Sequence, residues 1–142
     1  MKSWIWLRIA AVITLLYFAG HTMGMPWTPA TGPQEVAVLD AMKASRFLAM
    51  GASRTYWDFY FGFGVAISAH LLVQAVALWQ LANVERRIAG ATRPICAAFC
   101  IAFVVNAVVV WKYFFAVPLV MAIAVAICLA LAYQTSSPDE VK

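Results

Sequence analysis

Four apolar runs constrain this chain more than any other feature: about Trp4–Gly20, Tyr56–Asn83, Ile95–Trp111 and Val117–Tyr133. Each comes close to the roughly 20 residues that a helix needs to cross a bilayer core. No water reaches backbone amides in that core, so each run must satisfy its own hydrogen bonds as a helix. Little chain is left over. Of 142 residues, 65% are hydrophobic and 11% charged, and the mean hydropathy is +0.84. A soluble domain carries about a quarter charged residues, so this chain has too few to cover a soluble surface. The expected fold class is all-α. It is a single membrane domain over residues 1–142, a four-transmembrane-helix bundle with an extra interfacial amphipathic helix between spans 1 and 2.

The net charge of +4 is spread along the chain. No basic cluster is interleaved with aromatics, so nucleic acid is not an expected partner. Lys and Arg instead report orientation, because they collect in cytoplasmic loops. Lys2, Arg8, Arg86, Arg87, Arg93 and Lys142 fall on one side of the expected topology, and Lys43, Arg46, Arg54 and Lys112 on the other. The richer side is expected to be cytoplasmic, with both termini inside. The first run also resembles the core of a signal peptide. No small-x-small cleavage site follows it, so the expectation is a retained span.

Between spans 1 and 2, His21–Pro33 reads as a loop broken by Gly and Pro. Gln34–Met50 has helical periodicity but is too short and too charged to span. Thr31 with Gln34 suggests a capping box, Pro33 a first turn and Gly51 a stop. This segment is expected to lie on the membrane surface or to cap the bundle. Thr55 and Asp58 have capping-box spacing at the start of span 2. Tyr56 to Asn83 would be about 42 Å long, so this helix must tilt or project past the lipid. Val84–Pro94 reads as a polar loop. The short link near Lys112 and Pro118 makes spans 3 and 4 an antiparallel hairpin. The polar segment Gln134–Lys142 is expected to fray.

Two groups of residues are candidates for a ligand site. His21, Arg54, Trp57, Asp58 and Tyr60, with Trp27 nearby, are expected at the outer interface, as a polar pocket with aromatic walls. The plainer alternative is that Asp58 caps its helix and pairs with Arg54, while Trp and Tyr form an interfacial belt. The second group is His70, Gln74 and Asn106, near mid-membrane and joined by Thr14. An ionisable group there is costly and is expected to face the bundle interior. A haem or quinone cofactor at His70 is one reading, and a structural network tying helices together is the other. His21 and His70 are not expected to clamp one haem, because this topology places them roughly 15–20 Å apart in depth. Cys96, Cys100 and Cys128 could form a soft-metal site, but read more simply as small packing residues. No metal ligand set is expected. Gly64 with Ser68, and Ala98, Ala102 and Asn106, have small-xxx-small spacing that suits close helix packing.

The pattern GHTMG at Gly20–Gly24, followed by GASRTYWDFYFGFG at Gly51–Gly64, resembles small bacterial four-helix membrane proteins. The length and layout are more loosely similar to DoxX-like proteins. These resemblances imply a bacterial cytoplasmic membrane and carry no activity to transfer.

No catalytic spacing singles out a nucleophile or an acid–base pair. The expected role is therefore non-enzymatic: binding a lipid-like or apolar ligand, or a membrane partner, at the outward end. The expected partners are the bilayer and either a second copy or another membrane protein. The alternative is a redox protein using haem or quinone near His70. Transport needs a through-pathway, and four spans with one midplane ionisable group are too few for one in a monomer; a dimer could form one.

Overall fold

A computed structural model describes residues 1–24 and 27–136. Its elements are α1 (Ser3–Gly24), α2 (Pro33–Ala44), β1 (Arg46–Ala49), β2 (Ala52–Thr55), α3 (Tyr56–Arg87), α4 (Arg93–Tyr113) and α5 (Ala116–Thr135). The helices α1, α3, α4 and α5 are each long and apolar enough to cross a membrane. The fold is a multi-pass helical one, as the apolar runs require. Lys142, which the orientation argument counts, lies outside the described residues, as do Met25, Pro26 and most of the segment expected to fray.

Contacts divide the chain into two compact units, Met1–Phe18 with Leu71–Lys142, and Ala19–His70. The first unit is a four-helix core. Leu7, Ala10 and Ala11 of α1, Leu71, Leu78 and Ala82 of α3, Phe103 of α4, and Val125 and Leu129 of α5 share one buried cluster. Along α3 the buried positions run Ser68, Leu71, Ala75, Leu78, Ala82 and Glu85, a spacing of three and four residues that puts them on one stripe. Many are small, which lets helices approach closely where lipid supplies no hydrophobic drive. Only Phe114 and Phe115 separate α4 from α5, and these two helices pack along one another as the expected hairpin. Pro94 occupies the first turn of α4, where its missing N–H costs nothing.

The second unit departs from expectation. The helix expected over Gln34–Met50 ends at Ala44, and a β-hairpin follows. Arg46 pairs with Thr55 and Ala49 with Ala52 across it. The two loop residues, Met50 and Gly51, have φ of 48° and 87°, as a type I′ turn demands. Gly51 therefore serves the hairpin turn and is not a helix stop. The expected capping box uses a different partner as well. Thr31 donates from its backbone N–H (2.7 Å) and its hydroxyl (2.8 Å) to the Glu35 carboxylate, while Pro33 begins α2 as expected.

Candidate functional site

Thr55 and Asp58 form the expected capping box. The Thr55 N–H donates to Asp58 Oδ2 at 2.8 Å, and the Asp58 N–H donates to Thr55 Oγ1 at 3.1 Å. Each side chain answers a backbone donor that the first turn of α3 would leave orphaned. Asp58 is thereby committed to the helix start. Arg54 does not pair with it as the plain alternative supposed: its guanidinium donates to the Ser53 carbonyl at 2.9 Å.

Aromatic side chains gather around this helix start. Trp57 packs against Tyr60 (5.6 Å between ring centroids) and Phe61 (6.2 Å), and Trp27 meets Phe61 edge-on at 5.7 Å. Lys43 Nζ lies 5.1 Å from the Trp57 ring, a cation–π contact that ties the end of α2 to α3. Phe47 of β1 packs on Tyr56 and Phe59. Trp57 and Tyr60 are thus brought together with Lys43, a residue that sequence reasoning used for orientation and did not count among the ligand candidates.

His21 does not join them. It was expected in a loop beside Asp58, but α1 continues through Gly24 and carries His21 in its last turn. Its Nδ1 lies 3.1 Å from Ser68 Oγ, and Thr22 Oγ1 donates to the same oxygen at 2.9 Å. Ser68 is ten residues beyond Asp58 on α3, or about 15 Å along the axis. The apolar run alone gave no reason to carry the helix past Gly20.

His70 also departs from expectation. It is exposed, with Nδ1–H donating to the Ala66 carbonyl at 2.7 Å. It lies two positions from Ser68, roughly 200° round the helix, and so off the buried stripe. His21 and His70 therefore lie at nearly one level, not at the separate depths expected. They do not face each other, because His21 meets the Ser68 side of α3 and His70 projects from the opposite side. The expected mid-membrane network does not form through Thr14, whose hydroxyl donates back to the Ala10 carbonyl of its own helix. Gln74 and Asn106 are both half-buried, and Asn106 is within hydrogen-bonding reach of Tyr17.

Sequence reasoning missed the densest polar cluster among the described residues. Glu85 was assigned to a loop, but it lies in the last turns of α3 and is buried. Its carboxylate accepts hydrogen bonds from Ser3 Oγ (2.9 Å), Gly90 N–H (3.0 Å), Thr92 N–H (3.2 Å) and Thr92 Oγ1 (2.7 Å), and Ser136 Oγ (2.5 Å). These donors come from the start of α1, the α3–α4 connection and the end of α5. A local signal existed: Glu85 and Thr92 flank the Gly90 turn.

Cys96 and Cys128 are buried in the helical core and Cys100 is partly buried. Cys100 Sγ donates to the Ala126 carbonyl at 3.5 Å and Cys96 Sγ to Thr92 Oγ1 at 3.6 Å. Among the described residues, no three His, Cys, Asp or Glu side chains gather as a metal site. No family model matches the chain, and no curated protein or solved structure matches it.

Proposed function

We propose that this is a small, non-enzymatic protein of a bacterial cytoplasmic membrane, with both termini cytoplasmic, that works by binding a membrane partner. The binding surface is formed by α2 and the β1–β2 hairpin. One observation carries the reading: no side chain of α2 is buried. Val36 and Val38 point outward from it, and Leu48 and Met50 project from the hairpin. Apolar groups left exposed outside the spanning helices are costly in water, and Leu48 and Met50 of the hairpin, with the apolar residues on either side of α2, are the groups a partner would cover. The Trp57 cluster gives that surface a rigid base. The bacterial membrane is supported by the resemblance carried by Gly20–Gly24 and Gly51–Gly64, and the orientation by the excess of Lys and Arg on the side of the expected topology that holds both termini.

The test is site-specific photo-crosslinking in intact cells from Val38 and from Met50, with Val120 on α5 as a lipid-facing control. The expected outcome is a protein adduct from the first two positions that is absent at Val120. A second copy of the chain would identify the partner as itself. Adducts to lipid alone would overturn the reading. Topology is checked by labelling a cysteine placed at Ser45, which is expected to react from outside the cell.

A second reading, a redox protein holding haem or quinone at His70, is favoured by one contact. With Nδ1–H bound to Ala66, the free Nε2 lone pair points outward, the tautomer that a ligating imidazole uses. A Soret band in the purified protein that His70→Ala removes would establish it, and a spectrum without one would remove the haem form.

A further inference from the structure

We infer that the groove between α4 and α5 holds one acyl chain of an anionic phospholipid, with the lipid phosphate seated on Arg93. The inference is independent of the partner surface on α2 and the hairpin.

The groove has two parts. The larger, about 530 Å³, is lined by apolar side chains from Cys100 and Val104 to Trp111 on α4, with Ile123 and Ile127 of α5 opposite. The smaller, about 220 Å³, runs past Ala97 to Tyr133. Cys100 and Ala130 line both, so the two are continuous. Together they fall within the size of small-molecule sites. From Ala97 to Trp111 the groove follows α4 for about 21 Å. One leaflet of hydrocarbon is about 15 Å deep, so a chain entering at Tyr133 can lie in the groove down to the membrane midplane.

The Tyr133 end is where the charge lies. Arg93 opens α4, and its guanidinium carbon is 4.6 Å from the Tyr133 ring centroid. Stacking on that ring holds the guanidinium at the mouth of the groove. Its Nε is shielded from solvent and has no hydrogen-bond partner, a state that buried donors seldom keep. Arg86 and Arg87 are exposed in the last turn of α3. Glu85 is the one carboxylate among the described residues of this unit. It is taken up by Ser3, Gly90, Thr92 and Ser136 and neutralises no arginine. An apolar groove that ends at a guanidinium with no carboxylate partner among the described residues matches a lipid in both its parts. Phosphate is the acceptor that an arginine fork binds best, and the excess positive charge selects a headgroup with a net negative charge over a zwitterionic one.

The test uses the full chain reconstituted with equal amounts of phosphatidylglycerol and phosphatidylcholine, then released into mild detergent for native mass spectrometry. The expected result is one phosphatidylglycerol retained per chain in preference to phosphatidylcholine. Arg93→Gln should lower that preference about fivefold, the worth of one basic side chain near an anionic surface. Ala130→Phe, which fills the junction of the two parts, should reduce retention of both lipids. Equal retention of the two lipids by the unaltered protein, or retention of neither, overturns the inference and depends on no variant. An undiminished preference in Arg93→Gln overturns the role of that residue.

Discussion

The Glu85 carboxylate accepts the Ser3 hydroxyl at 2.9 Å across 82 positions of sequence, joining the first turn of α1 to the last turns of α3. Through Thr92 and Ser136 the same group also holds the start of α4 and the end of α5. Glu85→Ala leaves all of these donors without an acceptor in a buried place. Hydrogen bonds to a charged group are worth about 1.5–3 kcal/mol each, and some are recovered by water, so a net loss of about 3 kcal/mol is expected. Thermal unfolding in detergent should show the loss, with Glu85→Gln intermediate because its amide oxygen still accepts. A melting point unchanged in Glu85→Ala would show that the cluster contributes nothing.

Gly51 occupies a turn position at φ 87° with open space where a Cβ would go. A side chain there meets backbone strain alone. Gly51→Val should destabilise the hairpin by about 1–2 kcal/mol, seen as faster hydrogen exchange at the β1–β2 amides. Met50→Asn should slow that exchange, since Asn tolerates the left-handed region better than Met. Equal exchange in both variants would argue against the type I′ turn.

The reciprocal bonds of Thr55 and Asp58 predict a local cost. Asp58→Ala should weaken the start of α3 by about 1 kcal/mol. A double-mutant cycle with Thr55→Ala should show the two changes falling short of additivity. Additive effects would mean the residues act separately.

Glu35 gives a pH dependence outside the membrane. The Thr31 N–H and hydroxyl hold its carboxyl below the ordinary value of 4.5. A depressed folded pKa means that this support for the start of α2 is present above the unfolded value. It is lost as the pH falls through the folded one. The Thr31 amide resonance should therefore titrate with a midpoint below 4.5, and Glu35→Gln should abolish the titration. A midpoint at or above that value would show that Thr31 does not favour the ionised form.

Ser68 Oγ is hydrogen-bonded to both His21 and Thr22. Ser68→Ala should cost about 1 kcal/mol, the scale of interhelical hydrogen bonds in membranes. It should also shift the His21 ring resonances while leaving those of His70 in place. A shift at His70 instead would contradict the opposite facing of the two rings.

The features legible in the sequence are those with local causes. Hydropathy over about 20 residues places a span, and α1, α3, α4 and α5 lie where the apolar runs are. The Thr55–Asp58 cap closes within three residues, and two residues between α4 and α5 leave only a hairpin. The hairpin at Met50–Gly51 was overlooked because Gly51 also suits the end of a helix, and only the pairing of β1 with β2 separates the two uses. The tertiary structure alone decided which face of each helix turns inward. In a soluble protein the apolar stripe marks that face. In lipid the outer face is as apolar as the core, so burying one side or the other gains little hydrophobic free energy. Packing of small residues and distant polar partners chose instead: Ser68 for His21, Ser3 and Ser136 for Glu85. This is why His70 could be placed in its span by reading the chain, yet its outward direction emerged only once α3 had turned Ser68, Leu71 and Ala75 to the inside.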